Sequence, residues 1–112
     1  MFDLAARRCV SSEGGIPKLS EDEVRQLLPE VPGWRLNDGK DAIARTFSFR
    51  NFYETMAFVN ALAWIAHGEN HHPDLTVHYN KCVVRWNTHS VGGLSDNDFI
   101  CAAKVSALLP DG

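Results

Sequence analysis

Three times along this 112-residue chain, a side chain able to cap a helix is followed three residues later by an acid: Ser20 and Glu23, Asn51 and Glu54, Ser95 and Asp98. The capping oxygen accepts an orphan backbone N–H of the first turn. The acid returns a bond to the cap or complements the helix dipole. Each pair precedes an apolar pattern of helical period, which predicts helices near residues 21–29, 52–67 and 96–109. The first carries Val24, Leu27 and Leu28, and is closed by Pro29 and Pro32. In the second, Phe52, Met56, Val59, Leu62, Ala63 and Ala66 fall on one face at 100° per residue, widened by Phe58 and Ile65. Tyr53 and Trp64 fall elsewhere, where they suit a subunit contact; Trp64 suits the edge of the core equally well. The third groups Phe99, Ala102, Ala103 and Leu109.

Between the helices the period drops to two. Trp34 to Leu36 leads into the turn sequence Asn37-Asp38-Gly39-Lys40, after which Ile43, Phe47 and Phe49 alternate with Ala44, Thr46 and Ser48. Arg45 interrupts the apolar series and suggests partial exposure or an edge. Leu75, Val77 and Tyr79 form a second strand, Asn80-Lys81 a turn, and Cys82, Val84 and Trp86 a third alternation that runs on to His89. The order α-β-β-α-β-β-α predicts a single-domain α+β fold: a four-stranded antiparallel sheet with three helices packed on one face. Residues 19–112 are expected to form this domain. Residues 1–18, rich in turn formers and without periodicity, are expected to be a flexible N-terminal arm.

Composition narrows the function classes. Hydrophobic residues make up 45%, net charge is −3 and the pI is near 5.9, so neither wholesale disorder nor binding to nucleic acid by phosphate neutralisation is expected. No apolar run approaches the roughly 20 residues of a membrane span. Arg7 and Arg8 are followed by no apolar region, so no signal peptide is expected. Cys9, Cys82 and Cys101 are an odd, widely spaced set, which suits a reducing, cytoplasmic setting.

All five histidines, His67, His71, His72, His78 and His89, lie in one short window. The second helix is expected to end near Gly68 as its C-cap, followed by Glu69-Asn70-His71-His72-Pro73. Pro73 disfavours helix at His72 and stiffens the corner. His89 then ends the last strand, and a hairpin brings it back beside His71 and His72. Three readings compete. A metal site would use His67 and His71, but His67-Gly68-Glu69-Asn70-His71 is not H-E-x-x-H, and adjacent histidines chelate poorly. Taken singly, His67 and His78 suit plain exposed or structural roles. The third reading is metal-free acid–base catalysis on a small polar substrate, because imidazole both gives and takes protons near pH 7. Cys82, expected on the core face, is not placed to act with His89.

The run Glu69-Asn70-His71-His72-Pro73-Asp74, then Tyr79-Asn80-Lys81, Thr88-His89 and Gly93-Leu94-Ser95 with Asp98, resembles the pterin-4a-carbinolamine dehydratases, also called the dimerisation cofactor family. Gly33-Trp34, Gly39-Lys40-Asp41-Ala42-Ile43 and Phe47-Ser48-Phe49 extend the likeness to roughly residues 19–109. The stretch from Cys9 to Pro17 is similar to an arm of some bacterial members. The resemblance implies the same α-β-β-α-β-β-α fold and the dehydration of 4a-hydroxytetrahydrobiopterin to quinonoid dihydropterin, which recycles the cofactor of aromatic amino acid hydroxylases. It implies no metal and no cofactor. His71 and His89 match the family's two acid–base histidines and His72 the third. Asn70, Asn87, Thr88 and Ser90 match positions lining the pterin pocket, and Trp34 a tryptophan near it or in the core. Where many members carry an acid, this chain has His67, so His67 or Glu69 would have to orient a catalytic imidazole. The implied partners are the pterin and further copies of the chain in a homodimer or homotetramer, with neither nucleic acid nor membrane. Two alternatives stand beside this: a non-catalytic coregulator or assembly partner on the same fold, and a dehydratase-like protein of molybdopterin metabolism.

Overall fold

Each of the three cap signals opens a helix. The computed structural model describes residues 3–10 and 15–109, and in it α1 spans Glu21–Leu27, α2 Phe52–Glu69 and α3 Asp96–Ser106. At α1 the reciprocal box is complete: Glu23 N–H donates to Ser20 Oγ at 3.1 Å, and Ser20 N–H donates to Glu23 Oε1 at 2.9 Å. Asn51 caps α2 by accepting from Glu54 N–H. α1 stops short of its expected end because Pro29 lies in the 3-10 turn Leu28–Glu30 that follows. α3 likewise ends before Leu109.

The strands are β1 (Arg35–Leu36), β2 (Ile43–Ser48), β3 (Asp74–Val77) and β4 (Lys81–Trp86), all antiparallel in the order β1-β2-β4-β3. The Asn37 side chain closes the first hairpin by accepting from Asp41 N–H and Ala42 N–H. β1 pairs only with Ile43 and Ala44, so β2 loses its neighbour on that side from Arg45 onwards. Arg45 stands at this break, with its guanidinium 4.5 Å above the Phe47 ring and an Nη1–H bond to Ser106 Oγ.

Alternation places Ile43, Phe47, Cys82, Val84 and Trp86 on the inner face of the sheet, where they are buried with Val24, Leu27, Phe58, Leu62, Phe99, Ile100, Ala102 and Val105 from the helices. An aromatic series runs through this layer: Trp34 edge-on to Phe47 at 6.0 Å, Phe47 to Phe58 at 4.7 Å, and Phe58 to Phe49 at 5.2 Å. Trp34 is a core residue whose indole N–H donates to Ser106 Oγ.

α2 buries the expected face, turned toward the side of Phe58: Phe58 and Leu62 are core, and Val59, Ile65 and Ala66 pack against it. The inward residues are Thr55, Phe58 and Leu62, while Phe52 and Ala63 are exposed. The helix is apolar on nearly every side, so periodicity does not define the edges of that face. Tertiary contacts decide: Phe58 meets Phe47 and Phe49, and the Thr55 hydroxyl lies within bonding distance of Asn51 O and Tyr79 O.

Candidate active site

The end of α2 builds one side of the site. Gly68 is still helical; Asn70 takes the left-handed conformation, at φ 53° and ψ 43°. Asn70 N–H bonds His67 O and His71 N–H bonds Ala66 O, the two bonds of a Schellman motif, which turn the chain out of the helix at the histidine pair. β3 then starts at Asp74, opposite Arg85. Continuing that antiparallel register past its last pair brings His72 level with Asn87, beside His89.

The last strand ends at Trp86 rather than at His89. Thr88 pairs with Gly93 across a small loop, and His89–Val91 form a 3-10 turn ended by Gly92 at φ 67°. That positive φ is where glycine is free of Cβ strain. The turn lifts His89 and Ser90 out to the surface. The His72 and His89 rings are 6.4 Å apart with 25° between their planes, and both residues are exposed.

His71 is held differently. Its side chain is 11% exposed, its ring stacks on Trp86 at 5.3 Å and 19°, and Nε2 lies 2.7 Å from Asp98 Oδ1. Asp98 is fully buried, and its second oxygen, Oδ2, accepts from Thr88 Oγ1 at 2.8 Å and Ser95 N–H at 3.0 Å. Ser95 Oγ is 2.8 Å from Thr88 Oγ1. A carboxylate only accepts, so the His71–Asp98 bond puts a proton on Nε2 of the imidazole. The corner therefore carries one oriented imidazole and two that reach solvent.

Neither residue expected to stand in for the family's acid meets a site imidazole. His67 stacks on Trp64 at 5.6 Å, on the exposed side of α2. Glu69 turns the other way: Oε1 accepts from Cys9 N–H, and Oε2 is 2.9 Å from Arg8 Nε and 3.8 Å from Lys104 Nζ. Burial pushes the Glu69 carboxyl up, but the Cys9 and Arg8 bonds outweigh it and hold the group below its ordinary value. The carboxylate that meets a site imidazole is Asp98. The sequence placed Asp98 in the α3 cap and in the family pattern, but nothing there paired it with His71.

Of the other expected residues, Thr88 is buried with its hydroxyl committed to Asp98, so any part it has at a ligand falls to its backbone or methyl. Asn87 is half-buried, while Asn70 and Ser90 are exposed at the rim. Trp86 is fully buried, and its indole Nε1–H has no acceptor among the described residues. A cleft of about 560 Å³, lined by Lys18, Val24, Arg25, Leu28, Leu36 and Lys40 among others, holds no histidine, so chemistry and concavity part company here. Among the described residues no group of three or more His, Cys, Asp or Glu side chains is arranged to hold a metal ion.

Residues 17–108 match the family model described as pterin 4 alpha carbinolamine dehydratase. The chain belongs to that family. A protein of Stenotrophomonas maltophilia strain R551-3, named "Putative pterin-4-alpha-carbinolamine dehydratase", is 63% identical over 108 residues, covering 96% of this chain and 93% of that protein. One of the same name from Nitrosomonas eutropha is 57% identical over 108 residues, covering 96% of this chain and 94% of that protein. Among solved structures, a transcriptional coactivator/pterin dehydratase from Brucella melitensis superposes with a TM-score of 0.79 at 34% identity, covering 82% of this chain and 98% of that one. A pterin dehydratase-like protein described as a RuBisCO assembly factor of the alpha-carboxysome shares the fold, with a TM-score of 0.62 at 22% identity, over 71% of this chain and 93% of that one.

Proposed function

We propose that this member of the pterin carbinolamine dehydratase family is an active dehydratase that removes water from 4a-hydroxytetrahydrobiopterin by histidine acid–base catalysis. The convergence of His71, His72 and His89 on one corner, with His71 bonded to Asp98, carries the reading. The C4a–O bond breaks as one imidazolium protonates the leaving hydroxyl. N5 gives its proton to a neutral imidazole, and its electron pair closes the C4a=N5 double bond. His71 and His89 divide the two transfers, and His72 holds the polar edge of the pterin. Asn70, Asn87, Thr88 and Ser90 surround the ring. The product is a quinonoid dihydropterin, so the enzyme serves cytoplasmic recycling of a hydroxylase cofactor.

Stopped-flow decay of chemically generated 4a-hydroxytetrahydropterin tests the proposal. His71→Ala and His89→Ala each slow the enzyme by roughly 10²-fold or more. Activity unchanged in both variants sinks the assignment. His72→Ala acts chiefly on KM. A second reading, a binding module on this fold, is favoured by the coactivator description of the Brucella melitensis relative. Failure of the wild-type protein to accelerate the decay would put that reading ahead.

The same proposal includes a homodimer or homotetramer. Tyr53 and Trp64, 83% and 76% exposed, lie within about 20° of each other around α2, with Phe52 (45% exposed) on the same helix. Light scattering on the purified protein checks the state.

A further inference from the structure

The described part of the N-terminal segment lies against the end of α2 and along α3, held by hydrogen bonds and ion pairs. Asn97 and Val10 exchange two: Val10 N–H donates to Asn97 Oδ1 at 3.1 Å, and Asn97 Nδ2–H donates to Val10 O at 2.7 Å. Cys9 N–H donates to Glu69, Arg8 pairs with the same carboxylate, and Lys104 Nζ donates to Ala5 O. Leu4 is buried. Cys9 is thus fixed on both sides in sequence, and its sulfur rests 3.4 Å from Cys101 Sγ on α3.

Two thiols held so close, with no third ligand to make a metal site among the described residues, have one characteristic chemistry. We propose that Cys9 and Cys101 form a reversible disulfide, with hydrogen peroxide as oxidant, that fastens the N-terminal arm to α3. The sulfurs need close by little more than an ångström to reach the ~2.05 Å of the bond. The roles follow from position. Cys9 is half-buried and meets the oxidant; Cys101 is fully buried. The hydrogen bond to Cys9, then burial, push the Cys101 thiol up, so it carries a proton to pass to the leaving hydroxyl.

In the first step the Cys9 sulfur attacks one peroxide oxygen and the O–O bond breaks. The thiol proton leaves with the departing hydroxide as water, and Cys9 becomes a sulfenic acid. Cys101 sulfur then attacks the Cys9 sulfur and the S–O bond breaks. The hydroxyl takes the Cys101 proton as a second water. Two thiols have lost two electrons and the peroxide has gained them. Such a bond, in a chain that otherwise keeps its thiols free, has the character of a redox-sensing rather than a constitutive disulfide. It lies three residues along α3 from Asp98, so it ties the arm to the helix that orients His71.

The test uses the full chain. The reduced protein is treated with a slight excess of hydrogen peroxide, unfolded in the presence of an alkylating agent, and weighed intact and as peptides. All three thiols alkylate before treatment. After it, only Cys82 does, a Cys9–Cys101 cross-linked peptide appears, and dithiothreitol restores all three. The oxidised form melts roughly 10 °C higher, because the crosslink closes a long loop. Cys101→Ser places a hydroxyl in the core and risks misfolding; Cys9→Ser, at a half-buried position, is the informative variant and keeps both remaining thiols alkylatable. Peroxide that leaves three free thiols, drives Cys9 to the sulfinic acid with Cys101 still free, or joins two chains through Cys9 overturns the proposal.

Discussion

Asp98 does two jobs with one carboxylate. Oδ2 takes the Ser95 N–H at the start of α3, and Oδ1 takes the Nε2–H of His71. Asn at this position keeps the shape but presents a donor where an acceptor is needed, which favours the wrong imidazole tautomer. Asp98→Asn is therefore expected to lower kcat by roughly 10²-fold or more with a smaller change in KM, measured in the carbinolamine decay assay. Thr88→Val strips one donor from the buried carboxylate and costs about 1–3 kcal/mol in chemical denaturation. The three histidines were legible because imidazoles are rare and clustered. The role of Asp98 was not, because an N-cap acid and a histidine partner look alike in sequence. His71 and Asp98 are 27 residues apart, and nothing local links them.

At the scale of elements, the caps, the presence of each hairpin and the alternation within the strands were legible, since each signal acts within a few residues. The strand ends were not: β3 stops at Val77 and β4 runs from Lys81 to Trp86. The helix ends were read less well. Gly68 was the natural stop for α2, yet Asn70 makes the turn, because an Asn side chain tolerates the left-handed region and the helix gains another half turn by using it. Asn70→Gly should leave stability within a few tenths of a kcal/mol, whereas Asn70→Val, strained at positive φ, should lose about 1–2 kcal/mol in urea titrations. Phe52 and Ala63 were placed on the buried face of α2 for a different reason: a helix apolar on most sides leaves the edges of its buried stripe undefined. Phe58→Ala is expected to cost about 3 kcal/mol or more, and Phe52→Ala distinctly less, by the same measurement. Equal losses would put Phe52 back inside the buried stripe.

Across the whole molecule, the arm and the domain meet at Glu69. Its folded pKa lies below the ordinary 4.5, so its contribution is complete above that value and is lost as pH falls through the lower folded one. The melting temperature of the full chain is expected to exceed that of a variant lacking residues 1–10 at pH 7. The gap should narrow in acid below about pH 4.5, and at pH 7 in Glu69→Gln. A gap independent of pH would remove Glu69 from arm docking. The sequence by itself determined the element order, the sheet faces and the histidines that gather at one corner. Capping, turn chemistry and side-chain alternation are short-range and leave local marks. Only the tertiary structure decided where the buried stripe of α2 ends, which acid holds His71, where Glu69 turns, and that Cys9 meets Cys101. Each of those depends on residues far apart in the chain, brought together by packing rather than by any pattern along it.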